Sequence, residues 1–234
     1  MDVLTLMTDL DKSILRKSWA TIAGQTERVS VAIFRMIFEQ IPDARLMFVF
    51  TQNDPLNCAI TAELKFHALR FMQAVETVMS HLDDPRCLGD FFDNLGKIHA
   101  RQEERVGFKP HYWSVFKECA LYQFRKVLAR KNGILRQNRL VRAEVDAAII
   151  LWREVLQYMI WHIKVAMRTN AVVRRANRER IEKNHRDSCA SSSSDRLMTS
   201  DMANSLRHRK RSIVVPECFL INALYANVIL EEDT

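Results

Sequence analysis

The stretch LKFHALRFMQAVETVMSHL, residues 64–82, decides the fold class. Leu64, His67/Ala68, Phe71, Val75, Val78 and Leu82 recur every three or four residues, the period of a helix with one apolar stripe. His67 sits on that stripe, not on the solvent side. The next segment repeats the pattern: Leu88, Phe92, Leu95 and His99 share one face of a short predicted helix that ends at His99. Asp83, Asp84 and Pro85 separate the two helices, and a charged connection is expected from Arg101 to Gly107.

The same period runs outward in both directions. Leu10, Leu15, Trp19 and Ile22 predict a first helix, with a capping box at Thr8 to Asp11 and a stop at Gly24. A second passes through Val31, Phe34, Phe38 and Ile41 until Pro42 forces a turn or a new short helix through Leu46 and Phe48. Thr51 to Asn57 reads as a polar connection, and the long helix is expected from about Cys58. Pro110 opens a helix through Trp113, Phe116, Ala120 and Phe124 to about Arg130. A basic loop with Gly133, Arg136 and Arg139 then leads to a helix along Val145, Ile149, Trp152, Leu156, Met159 and Ile163. With 5 Gly and 5 Pro in 234 residues, long helices are favoured over many turns.

Charge is unevenly distributed. Residues 1–167 carry 23 Lys/Arg against 19 Asp/Glu, residues 168–211 carry 12 against 5, and residues 212–234 carry none against 4. The excess therefore belongs to an Arg-rich, then serine-rich, then polybasic extension (Arg174, Arg175, Arg178, Arg180; Ser191–Ser194; Arg207–Arg211). Such a run is ordinarily a solvated tail. The expected division is an N-terminal tail 1–7, a globular domain 8–167 and an extension 168–234, largely disordered or continuing the last helix as far as about Asn184. Beside its apolar residues and Cys218, the polybasic run could contact an anionic membrane surface or a protein. No nucleic-acid partner is expected.

Five cysteines (Cys58, Cys87, Cys119, Cys189, Cys218) without CxxC or zinc-type spacing predict reduced thiols in a cytoplasmic protein. The acidic start, Met1-Asp2, lacks the basic residues of a signal or transit peptide, and Ile213 to Leu230 is interrupted by Pro216, Glu217, Asn222 and Asn227. Phosphate-loop, HExxH, Ser/His/Asp and dinucleotide patterns are absent from the sequence, so an independent catalytic site is not expected.

A histidine on an apolar helix face is ordinarily a core residue with a satisfied hydrogen bond. Two of them, each beside flat apolar surface, suit a planar apolar cofactor held by a neutral imidazole within aromatic walls. Alternatively, the two rings pack in unrelated places and the helices form a bundle without a cofactor.

Phe66-His67-Ala68-Leu69-Arg70-Phe71, followed 32 positions after His67 by His99 in Leu95-Gly96-Lys97-Ile98-His99, resembles the globins, in particular invertebrate and neuroglobin-like members. Trp19, Phe34, Pro42, Phe48 six residues later, and Gly107-Phe108-Lys109-Pro110 with Trp113 support the resemblance, which covers about residues 8–167. It implies an all-α globin fold of seven to eight helices with a C-terminal extension, and haem b as cofactor. It further implies His99 as the proximal iron ligand and His67 as the distal residue above the gas site, where its N–H can hydrogen-bond dioxygen. Phe48 would stack on the haem. Phe34 and Phe71 would narrow the distal pocket, Leu95, Phe108 and Trp113 would line the proximal side, and Arg70 could reach a propionate. The resemblance implies reversible binding of oxygen or another diatomic gas for storage, transport or sensing. If His67 also binds iron, a bis-histidyl redox protein served by an electron-donor reductase follows, with nitrite or nitric oxide chemistry. Relative to those globins, the link from His99 to Gly107 is long and charged, and Phe71 stands where many have valine. A haem-free helical scaffold acting through its basic tail remains the alternative outside this family.

Overall fold

In the computed structural model, residues 3–48, 62–106, 108–109, 111–129 and 141–192 are described. Six α-helices account for most of them: α1 Asp9–Ala23, α2 Thr26–Gln40, α3 Ala62–Ser80, α4 Gly89–Val106, α5 Tyr112–Leu128 and α6 Arg142–Ser192. Short 3-10 turns cover Val3–Leu6, Pro42–Met47 and Pro85–Leu88. No strand occurs among the described residues.

The local signals explain several boundaries. Thr8 caps α1 by accepting from the Asp11 amide at 3.2 Å, and Asp11 accepts from the Thr8 amide at 3.0 Å, so two otherwise orphaned donors satisfy each other's neighbours. Gly24 is the C-cap. Pro42 has no N–H to continue α2 and sits instead at the start of the turn that delivers Phe48. The expected starts at Cys58 and Pro110, the Thr51–Asn57 connection and the loop with Gly133, Arg136 and Arg139 lie outside the described residues, as does Gly107.

Three expectations are corrected. Helix α4 does not stop at His99; it continues two turns through the charged run to Val106. Arg, Gln and Glu are good helix formers, so a charged stretch without glycine or proline extends a helix as readily as it makes a loop. Leu10, expected on the inner face of α1, is 70% exposed, while Leu15, Ser18 and Ile22 are buried. The last helix continues beyond its expected end at about Asn184, to Ser192.

Met1–Asn184 forms one compact unit, centred on the fully buried Trp152 of α6. Its indole packs edge-on to Phe124 at 5.0 Å and near Trp19 at 6.0 Å. An indole N–H cannot be buried cheaply without an acceptor. Ser18 supplies one: Trp152 Nε1 donates to Ser18 Oγ at 2.9 Å, and that hydroxyl donates on to the Leu15 carbonyl at 2.8 Å. The second unit, His185–Thr234, is described only over 185–192, which are helical.

Helices α4 and α6 cross where glycine is required by contact. A Cβ placed on Gly96 would collide with the Ala166 Cβ and lie 2.8 Å from the Ala166 carbonyl carbon and 2.9 Å from the Met167 amide nitrogen. The bare backbone lets α4 lie against α6, and His99 follows Gly96 by less than one turn.

Candidate functional site

The first half of α3 displays His67 on the apolar stripe read from the sequence. Its ring is half-buried and lies edge-on to two aromatic rings, Phe34 of α2 at 5.1 Å and Phe48 at 4.8 Å. Those two contact each other at 6.2 Å, and Phe38 touches both, at 6.3 Å from Phe34 and 5.4 Å from Phe48. Sequence reading did not assign Phe38 to the site; its position one turn after Phe34 on the α2 apolar face was the available signal. Among the described residues no hydrogen bond engages the His67 ring nitrogens.

His99 sits on α4. Its Nδ1 lies 2.8 Å from the Leu95 carbonyl oxygen, one turn back. A carbonyl only accepts, so Nδ1 carries the proton and Nε2 keeps its lone pair. Trp113 packs against the ring at 5.1 Å and Phe108 at 6.5 Å, and these two rings are 5.1 Å apart. Trp113 leads on to Phe116 at 6.4 Å, and Phe116 meets Phe71 edge-on at 4.8 Å. Phe71, one turn beyond His67 on α3, is thus linked through Phe116 to the Trp113 ring beside His99. Phe116, unassigned from sequence, is the link; its signal was the i+3 spacing from Trp113.

The two imidazoles are in electrostatic reach of each other. Burial lowers the His67 pKa to about 4, and the proximity of His99 and Arg70 pushes it the same way. Burial also lowers His99, opposed by its bond to Leu95. Both rings are therefore neutral at physiological pH, the protonation state a metal requires. Arg70 stands with its guanidinium carbon 4.6 Å from the centroid of the half-exposed Phe66 ring, at the solvent side of α3. Leu95, Phe48, Phe71 and Phe108 are partly buried hydrophobics, neither sealed in the core nor wholly wet.

This arrangement fits haem. One imidazole is oriented by its backbone bond and packed by Trp113 and Phe108, and a second, packed by Phe34 and Phe48 and without a hydrogen bond of its own among the described residues, stands within electrostatic reach of it. Neutral imidazole nitrogens of this kind are the donors that would hold a haem iron.

Comparison with known proteins agrees with that fit. Residues 31–148 match the family model described as Globin. The chain is 30% identical to neuroglobin of Tetraodon nigroviridis over 56% of this chain and 82% of that protein. It is 27% identical to cytoglobin-2 of Danio rerio over 67% of this chain and 80% of that protein. Its fold is similar to that in the crystal structure of a hexacoordinated heme protein from an anhydrobiotic tardigrade. The TM-score is 0.55 and the identity 19%, covering 72% of this chain and 99% of the other. A family match across half the chain, and a relative matched over most of its length, lead to one conclusion: this chain belongs to the globin family of haem proteins.

Proposed function

We propose that the chain holds haem b through His99 and reversibly binds oxygen or another diatomic gas on the side of His67. The observation that carries this reading is the His99 Nδ1–H···O=C bond to Leu95 at 2.8 Å, which commits one nitrogen to the helix and leaves the other as a ligand of fixed direction. Haem, when bound, supplies the iron to which the gas coordinates. His67 has an unengaged ring N–H available to the gas, and a hydrogen bond to a charged acceptor contributes roughly 1.5–3 kcal/mol, about ten- to hundred-fold in affinity. Phe34 and Phe48 pack against that imidazole, with Phe38 behind them, and restrict water. Trp113 and Phe108 steady His99, and Arg70 is close enough to the solvent edge to pair with a carboxylate of the cofactor. Free thiols at exposed Cys87 and buried Cys119 favour a reducing compartment such as the cytoplasm. Among the described residues no helix is long and apolar enough to cross a membrane.

A second reading has its own support. The unbonded His67 ring is in electrostatic reach of His99, which suits two imidazoles on one iron and a redox role with an electron-donor reductase. The hexacoordinated state named for the tardigrade protein gives this reading a precedent on the same fold. The spectrum of the reduced, gas-free protein decides: one broad visible band supports gas binding at an open site, two sharp bands support the bis-histidyl form. A chain supplied with haem that shows no Soret band, and that is unaltered by His99→Ala, would falsify both readings and leave a haem-free scaffold.

A further inference from the structure

The inner side of α6 enters the core through Trp152, Leu156, Met159 and Ile163. Its outer side is not uniformly polar. Ile150, Trp161 and Val172 are 64%, 56% and 69% exposed, and Val165 is 40% exposed. At 100° per residue, Ile150, Glu154, Gln157, Trp161, Val165, Arg168 and Val172 fall within about 40° of one line along the helix. Large apolar side chains aligned on an exposed helix face are a candidate contact surface.

Read from Trp161 in both directions, the row matches itself at two of its three pairs of positions; the third sets Gln157, which accepts from Lys117 at 2.8 Å, against Val165. Eleven residues before Trp161 stands Ile150 and eleven after it Val172; seven before stands Glu154 and seven after Arg168. An identical helix running antiparallel, with a two-fold axis at Trp161, sets Ile150 against Val172 and Glu154 against Arg168. Each match is made twice, and ring meets ring at the axis. A parallel partner would instead oppose Arg168 to Arg168. Neighbouring charges on the flank are engaged within the chain, Arg153 by Glu118 and Asp146 by Arg125, both at 2.8 Å. Among the described residues Glu154 and Arg168 have no such intrachain ion pair. The row spans ~33 Å at 1.5 Å per residue, a length on which coiled-coil packing can build an interface.

We propose that this face of α6 is a homodimer interface, closed by a second copy of the chain packed antiparallel across Trp161. The interface lies on the side of α6 away from the core and is independent of the haem reading.

The test is sedimentation of the full-length, haem-supplied chain across the micromolar range, with charge reversal at the matched pair. A concentration-dependent dimer is expected. Glu154→Arg and Arg168→Glu each weaken it by about tenfold, since each brings like charges together twice. The double variant recovers the original association because the pair meets again with signs exchanged. Both side chains lie outside the core, so an unchanged helical circular dichroism spectrum confirms that each variant folds. A chain that stays monomeric at every concentration, or a double variant no tighter than the singles, overturns the proposal. So does a monomer that co-sediments with phosphatidylserine vesicles and is released by Trp161→Ala, which would make the row a membrane contact.

Discussion

His67 is held among phenylalanine rings, and this environment couples the fold to pH. The unfolded chain takes up a proton on each imidazole near pH 6.5, whereas in the folded chain His67 resists protonation until about pH 4 and His99 is also shifted down. The folded pKa values are the lower ones, so the haem-free protein keeps full stability above pH 6.5 and loses it as pH falls from 6.5 toward 4. The His67 share of that loss reaches ~3 kcal/mol. Urea midpoints measured between neutral pH and pH 4 are expected to fall along this window, and His67→Leu to flatten the slope; equal slopes would refute the burial argument. The same substitution in the haem-loaded protein is expected to speed oxygen release about ten- to hundred-fold, because leucine has no donor. Stopped-flow release rates measure this, and an unchanged rate would mean that His67 makes no such bond.

Among the elements, α4 depends on a missing side chain. Gly96→Ala gains helix propensity of up to about 1 kcal/mol but forces a methyl into the Ala166 backbone, and overpacking of this kind costs ~1–3 kcal/mol. Net destabilisation is expected, with a disturbed Soret maximum because His99 rides on the displaced helix. Ala166→Gly in the same chain should recover part of both. Thermal unfolding of the two variants checks this, and a stable Gly96→Ala protein with a native spectrum would show that the crossing is slack. The period of residues 64–82 made α3 legible in the sequence, with His67 on its apolar stripe, and the spacing of Leu88, Phe92, Leu95 and His99 did the same for the first part of α4, since apolar spacing is a property of the chain. The close crossing was not legible: Gly96 in sequence is only a weak helix former, and its partner is 70 positions away. The two turns of α4 beyond His99 were hidden for another reason. Charge pattern alone does not separate a solvated helix from a loop, and only the backbone geometry does. Phe38 and Phe116 were likewise read as ordinary apolar positions, because which rings meet His67 and Trp113 depends on how helices dock.

At the scale of the molecule, the compact unit Met1–Asn184 contains every residue of the candidate site and the outer row of α6. A chain ending at Asn184 is therefore expected to bind haem with an unaltered spectrum and to keep its association behaviour. Loss of the Soret band on removing residues 185–234 would assign the extension a part in the site. Composition marked that extension as distinct, and charge counting placed its onset near residue 168. Helical hydrogen bonding does not follow charge, and α6 carries its backbone through the boundary to Ser192.

The four tryptophans occupy four different surroundings, and this turns the protein into its own optical gauge. Trp113, 5.1 Å from the His99 ring, is placed to lose its emission by energy transfer when a porphyrin binds there. Trp161, 56% exposed on the outer side of α6, emits from water and shifts to shorter wavelength if a neighbour covers it. Quenching and colour can thus be followed in one cuvette, the first tracking cofactor loading and the second tracking encounters at the surface.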